Sequence, residues 1–222
     1  MIELKNISKV YKTPEVTTQA LDGLNIKISE GEFVSITGPS GCGKTSLLNI
    51  LGLLDSPTKG IYRFFGEDVE KYNERKRAQI RKNNVGFIFQ NFNLIDELNV
   101  YRNIEMPLLY HNLSQNERRN RIFEIIEKLG IQHLKKKFPQ QLSGGEQQRT
   151  SVARAIVAKP KFILADEPTG NLDSKNADEV MSILSMLHSE GSTIIMVTHS
   201  PDFAAFAKRT IKLIDGKIIA QN

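Results

Sequence analysis

The segment Gly38-Pro39-Ser40-Gly41-Cys42-Gly43-Lys44-Thr45 places two glycines around a four-residue spacer and follows them with Lys and Thr. Glycines let the backbone curl until successive N–H groups converge on an anion, and a helix starting there adds its positive end. Lys44 can bring a point charge to the β- and γ-phosphates of a nucleotide, and the Thr45 hydroxyl can hold Mg²⁺. Ser46 offers a further phosphate contact. Cys42 reads as a small loop residue. The apolar run Phe33 to Thr37 predicts a strand before this loop. Leu47, Leu48, Leu51 and Leu54 predict a helix after it, which is the context such a loop requires.

A second chemical group sits far along the chain. Phe162-Ile163-Leu164-Ala165 predicts a buried strand ending in Asp166-Glu167. Carboxylates at the carboxyl edge of an open sheet lie where such sheets place ligands. Asp166 would hold Mg²⁺, and Glu167 would polarise an attacking water. Two other predicted strands end in polar residues that could reach the same phosphate: Val85 to Phe89 in Gln90, and Thr193 to Thr198 in His199. Gln90 reads as a sensor of Mg²⁺ and water, or as a plain loop residue. Leu142-Ser143-Gly144-Gly145-Glu146-Gln147-Gln148-Arg149 forms another glycine turn at a helix start. Ser143 and Glu146 have capping-box spacing. Either the box is its whole role, or the turn grips a nucleotide held by a second copy of the chain.

The elements that must position these groups alternate. Ile2 to Val10 and Leu24 to Ile28 predict half-buried antiparallel strands, and Gly60 to Phe65 predicts another. Arg118 to Leu129 predicts a helix stopped by Gly130; Ser143 opens a helix through Val157, and Ala177 to Leu187 marks a third, stopped near Gly191. Thr210 to Ile214 and Lys217 to Ala220 flank the hairpin turn Asp215-Gly216. Buried strands separated by helices imply a parallel sheet covered on both faces. The stretch from about Phe92 to Ala158 reads as all-helical, a lobe inserted into that core.

The 222 residues suit one large domain, and the composition excludes collagen, disorder and coiled-coil rods. One cysteine excludes an internal disulfide framework. The alternating N-terminus does not read as a signal peptide, and no apolar run approaches a spanning helix, so a soluble, intracellular chain is expected. The net charge is +5, with basic clusters at Arg75-Lys76-Arg77, Arg118-Arg119 and Lys135-Lys136-Lys137. Solvated faces account for them; anionic lipid or nucleic acid is the sharper reading.

The glycine-rich loop, Gln90, Leu142-Ser143-Gly144-Gly145-Glu146, Asp166-Glu167, Asn171-Leu172-Asp173 and His199 occur in the order found in ATP-binding-cassette ATPases, which the whole chain resembles. The resemblance implies an α/β fold: a P-loop NTPase (RecA-like) core with an antiparallel β-subdomain, at about 1–91 and 159–222, and an inserted helical subdomain at about 92–158. It implies ATP and Mg²⁺ as cofactors, bound by Gly38 to Ser46 and by Thr45, Gln90 and Asp166. Tyr11 matches the aromatic residue that stacks on adenine. Lys44, Gln90, Glu167 and His199 would serve hydrolysis. Ser143, Gly144, Gly145, Glu146 and Asp173 would act in trans across a head-to-tail homodimer. Lys44-Thr45-Ser46 departs from the commoner Lys-Ser-Thr but keeps the needed hydroxyl.

Phe89-Gln90-Asn91-Phe92-Asn93-Leu94, Val100, Asn103-Ile104, Pro107 and Asp166 to Asp173 look like the subgroup of lipoprotein release, macrolide and peptide export, and cell division. This implies an integral membrane subunit with few spanning helices, and a cytoplasmic ATPase held by it on the inner face of the membrane. The other reading is a soluble cassette ATPase acting on nucleic acid or ribosomes. Such relatives usually carry two cassettes or added domains, so no nucleic-acid partner is expected.

Overall fold

A computed structural model describes residues 1–221. Its strands are β1 (Ile2–Lys12), β2 (Thr17–Ile28), β3 (Phe33–Thr37), β4 (Lys59–Phe64), β5 (Glu67–Asp68), β6 (Val85–Phe89), β7 (Phe162–Asp166), β8 (Thr193–Val197), β9 (Arg209–Ile214) and β10 (Lys217–Gln221). Its helices are α1 (Lys44–Leu51), α2 (Glu74–Asn84), α3 (Val100–Glu105), α4 (Gln115–Lys128), α5 (Gly144–Ile156), α6 (Ser174–Ser189) and α7 (Pro201–Ala204). Every regular element between 92 and 158 is helical, with short 3-10 turns such as Met106–Tyr110.

The larger sheet runs β10-β9-β3-β8-β7-β6. All its pairings are parallel except β10 with β9. The smaller sheet, β2-β1-β4-β5, is antiparallel. Side chains alternate across a strand, and this divides the central strands between two cores. Phe162, Leu164, Ile195 and Val197 face a core shared with α1 and the small sheet. Ile163, Ala165, Ile194 and Met196 face a core shared with α3, α4, α5 and α6. Both faces are buried, which is why these strands read as unbroken apolar runs. Truncating a buried residue such as Leu164 to Ala costs about 2–5 kcal/mol. The sheet can therefore hold a strained turn at its carboxyl edge.

Two expectations need correction, and two elements show features that the sequence does not mark. Helix α1 stops at Leu51, not Leu54: Gly52 follows, Leu53 has φ 58°, and Leu54 is exposed. A side chain at Gly52 would strike Phe87 at 2.3 Å, so only glycine fits at this helix end. Strand β2 begins at Thr17, well before Leu24, because its first half pairs Thr17, Thr18 and Gln19 with Lys12, Tyr11 and Val10. Strand β6 is an edge strand, only half-buried, with α5 on one side. Helix α2 has no apolar stripe to reveal it. Asn73 caps it, and Arg77 and Arg81 both bind Glu74; Arg81 also donates to Leu53 O at 2.6 Å.

Candidate active site

The phosphate-loop geometry starts from two close approaches. A side chain at Gly38 would lie 2.1 Å from Leu213 O, and one at Gly43 2.3 Å from Ala20 O. Gly43 also has φ 102° and caps α1 with no side-chain hydrogen bond. The first turn of α1 carries no acidic residue. Its N–H groups are thus left by the chain itself to another acceptor. Lys44 is 8% exposed and curls over the loop, donating from Nζ to Gly38 O at 2.9 Å and Pro39 O at 2.8 Å, with Cys42 Sγ at 3.9 Å.

The loop opens on a cavity of about 550 Å³. Ser40, Gly41, Gly43, Lys44, Thr45 and Ser46 line one side, and Gln90, Asp166, Glu167 and His199 the other. These groups lie up to 159 positions apart, Ser40 to His199, and meet because β3, β6, β7 and β8 are parallel neighbours with aligned carboxyl ends. Burial, then the adjacent Glu167 carboxylate, pushes the Asp166 carboxyl above its ordinary range, with Lys44 acting the other way. Two acids held together against their own repulsion, beside a hydroxyl, make a donor set that fits a hard divalent cation.

Glu167 has φ 45°, a left-handed conformation costing about 1–3 kcal/mol in a non-glycine residue. Its N–H donates to Val197 O at 2.9 Å, and its carbonyl accepts from Gly170 N–H at 3.0 Å. The strain turns the carboxylate into the cavity, where Oε2 lies 2.7 Å from His199 Nδ1. Gln90 Nε2 donates to Asn171 Oδ1 at 3.2 Å, and Asn171 Nδ2 returns bonds to Gln90 O at 3.1 Å and Asn91 Oδ1 at 2.8 Å.

Tyr11 stands beside Ser46, its hydroxyl 3.5 Å from Ser46 Oγ and 3.0 Å from Asp55 Oδ2. Lys9 Nζ lies 4.8 Å from the Tyr11 ring centroid and 2.6 Å from Asp55 Oδ1. Burial works against the Asp55 anion, yet Lys9, the Ser56 N–H and Tyr11 together hold its carboxyl below the ordinary value. The ring is thereby fixed, with a cation over one face.

Ser143, Gly144, Gly145, Glu146 and Asp173 do not line this cavity. Ser143 caps α5 with a full capping box: Ser143 Oγ accepts from Glu146 N–H at 3.3 Å, and Glu146 Oε2 from Ser143 N–H at 2.7 Å. That backbone bond chiefly holds the Glu146 carboxyl below its ordinary range, against burial. Asp173 is the cap of α6, accepting from Asn176 N–H at 2.9 Å. The two helix starts touch, since a side chain at Gly145 would strike Asn176 Oδ1. Thr18, Gln19 and Ala20 of β2 also line the cavity. No motif marks them; only the pairing of β2 brings them there.

Residues 21–170, more than half of the chain, match the family model described as ABC transporter. An uncharacterised ABC transporter ATP-binding protein of Methanocaldococcus jannaschii, MJ1508, is 49% identical over 99% of this chain and 98% of its own length. The macrolide export ATP-binding/permease protein MacB of Chlorobium luteolum is 45% identical over 99% of this chain, which spans 33% of that longer protein. The ATP-binding cassette MJ0796, solved as a dimer in a post-hydrolysis state with ADP and Pi, superposes with a TM-score of 0.92 at 41% identity, covering 100% of this chain and 98% of that one.

Proposed function

The chain belongs to the ABC transporter family as an ATP-binding, ATP-hydrolysing subunit, and from that premise we propose that two copies close head-to-tail around two ATP molecules to drive a membrane subunit. The observation that carries this reading is the single cavity into which Lys44, Thr45, Gln90, Asp166, Glu167 and His199 converge. The relatives named above are described as transporter or export ATPases, which supports this reading over a nucleic-acid or ribosomal role. The dimeric state of MJ0796 supports the pairing of copies.

In this reading the loop N–H groups and Lys44 neutralise phosphate charge. Thr45, Asp166 and Gln90 would hold Mg²⁺, which supplies electrostatic stabilisation of the phosphates when bound. Glu167 orients the attacking water. His199 Nδ1 fixes the orientation of that carboxylate and completes the γ-phosphate cage with Gln90. Tyr11 offers the ring face not covered by Lys9 to adenine. Ser143, Gly144, Gly145 and Glu146 of the second copy, with its Asp173, close the site from the other side.

Among the described residues no helix is long and apolar enough to cross a membrane; the membrane-spanning part in this reading is a partner subunit. A groove of about 860 Å³ between α2, β6 and the Met106–Tyr110 turn supports the docking place. Phe87, Phe89, Pro107 and the exposed Tyr110 supply its apolar surface, and Arg75, Arg81, Lys82 and Arg154 its cations. It suits an apolar segment carrying acidic residues, and it ends at Phe89, next to Gln90. Tyr110→Glu should leave the ATPase of the isolated chain within two-fold, yet abolish co-purification of a multi-spanning membrane protein from solubilised membranes. Undiminished co-purification would move the docking place elsewhere.

A further inference from the structure

Gln148 lies one turn beyond the glycines of α5 and is 0% exposed. Its side-chain amide donates to Pro168 O at 2.6 Å and approaches Phe89 O at 3.4 Å. Pro168 is the residue after Glu167, and Phe89 the residue before Gln90. One amide therefore holds the two carbonyls that flank the acid and the amide at the cavity's carboxyl edge. Phe89 O already accepts from Phe92 N–H at 3.2 Å, closing the turn that contains Gln90.

Two further features show how much the chain invests in this contact. The other amide atom, Gln148 Oε1, is buried without a partner among the described residues. An orphaned buried acceptor is costly, and an apolar side chain would avoid it. Reversing the amide would aim Oε1 at two carbonyl oxygens, so the donors fix its orientation. Secondly, Arg154 on the same helix donates to Phe92 O at 2.8 Å and Asn93 O at 2.5 Å. Phe92 and Asn93 both have left-handed backbones, φ 58° and 49°. Helix α5 thus grips the Gln90 turn at both ends and the Glu167 turn at one.

We propose that Gln148 is a positioning residue for ATP hydrolysis, holding Gln90 and Glu167 in register with the glycine turn at the start of α5. The inference rests on the roles given above to Gln90 and Glu167. Any displacement of α5 relative to the sheet pulls on both carbonyls at once. The side chain never touches nucleotide; it sets whether the two groups that do are placed together.

The test compares steady-state ATPase rates of the full chain and its Q148M, Q148N, S151A and E167Q variants across ATP and Mg²⁺ concentrations. Methionine keeps the length of Gln148 and loses both donors. Q148M should lower kcat at least ten-fold, raise the Mg²⁺ concentration for half-activity, and leave KM for ATP within two-fold. Q148N keeps the amide one methylene short, so it covers the case in which Q148M fails to fold, and its kcat should fall at least three-fold. Ser151 Oγ is buried and unpartnered one turn further along α5, so S151A controls for packing and should match the parent. Folded Q148M or Q148N with parental kcat and Mg²⁺ dependence, alongside an inactive E167Q, would overturn the role of Gln148. An E167Q variant with parental turnover would instead overturn the catalytic reading on which it rests.

Discussion

Helices α1 and α5 both begin on glycine-rich turns, yet their first turns are completed in opposite ways. At α1 the cap is a left-handed glycine with no side-chain bond, no acid follows, and a lysine sits at the first helical position. At α5 the cap is Ser143, its hydroxyl and the Glu146 carboxylate satisfy backbone donors reciprocally, and a negative charge occupies the first turn. An open N-terminus with a cation is a bed for an anion. A closed one carrying a carboxylate is a poor anion site by itself. Only one of the two turns is therefore built to bind phosphate strongly. The other can add a short-range contact only when something else presents the nucleotide to it, which is the asymmetry expected of a site shared between copies.

The largest effect should come from removing the cation of the open turn. Lys44→Ala should weaken ATP binding by about 100-fold, the scale of a lost charge-assisted bond, measured by equilibrium titration of a fluorescent nucleotide. Parental affinity would mean that the loop amides alone suffice. Next comes the closed turn: Ser143→Arg should lower turnover by about ten-fold or more through a steric and charge mismatch at the seam, with monomer nucleotide affinity kept. Loss of affinity in the isolated monomer would place the two turns in one site within the same chain.

A smaller effect should appear on stability opposite the open turn. Asp166 is held above its ordinary carboxyl range, so its charged form is disfavoured by folding. Its contribution falls as pH rises from the unfolded value toward the raised one and stays unfavourable at neutral pH. Asp166→Asn should therefore raise the neutral-pH Tm measured without nucleotide or metal. A lower Tm would contradict the repulsion between Asp166 and Glu167. The smallest effect belongs to Glu146, whose carboxyl is held below its ordinary value in the folded chain, chiefly by the Ser143 backbone N–H. Its charge stabilises above that value, and the contribution disappears as pH falls through the folded pKa. Glu146→Gln keeps the capping geometry and should cost a few tenths of a kcal/mol at neutral pH after solvent screening, converging with the parent at acid pH. A difference that grows on acidification would have the wrong sign.

Much of this was legible because short-range rules coincide with the fold. The strand from Phe33 and the helix after Lys44 follow from period and glycine placement, and the Ser143–Glu146 box from spacing alone. Alternation could not mark the central strands, since both their faces are buried, yet unbroken apolar runs could. Helix α2 stayed hidden because capping and ion pairs, rather than an apolar face, hold it. Gln148 stayed hidden for another reason. In sequence it is one more polar helix residue, and its importance depends on where two distant loops cross its side chain.

In the proposed dimer, nucleotide joins the open turn of one copy to the closed turn of another. Single-cysteine chains carrying Ser40→Cys or Ser143→Cys, each with Cys42→Ala and Glu167→Gln, can be mixed and oxidised with and without Mg-ATP. A disulfide-linked heterodimer should form only when both chains and ATP are present. A mixture that stays monomeric with ATP bound, or that cross-links equally without it, would rule out the shared site.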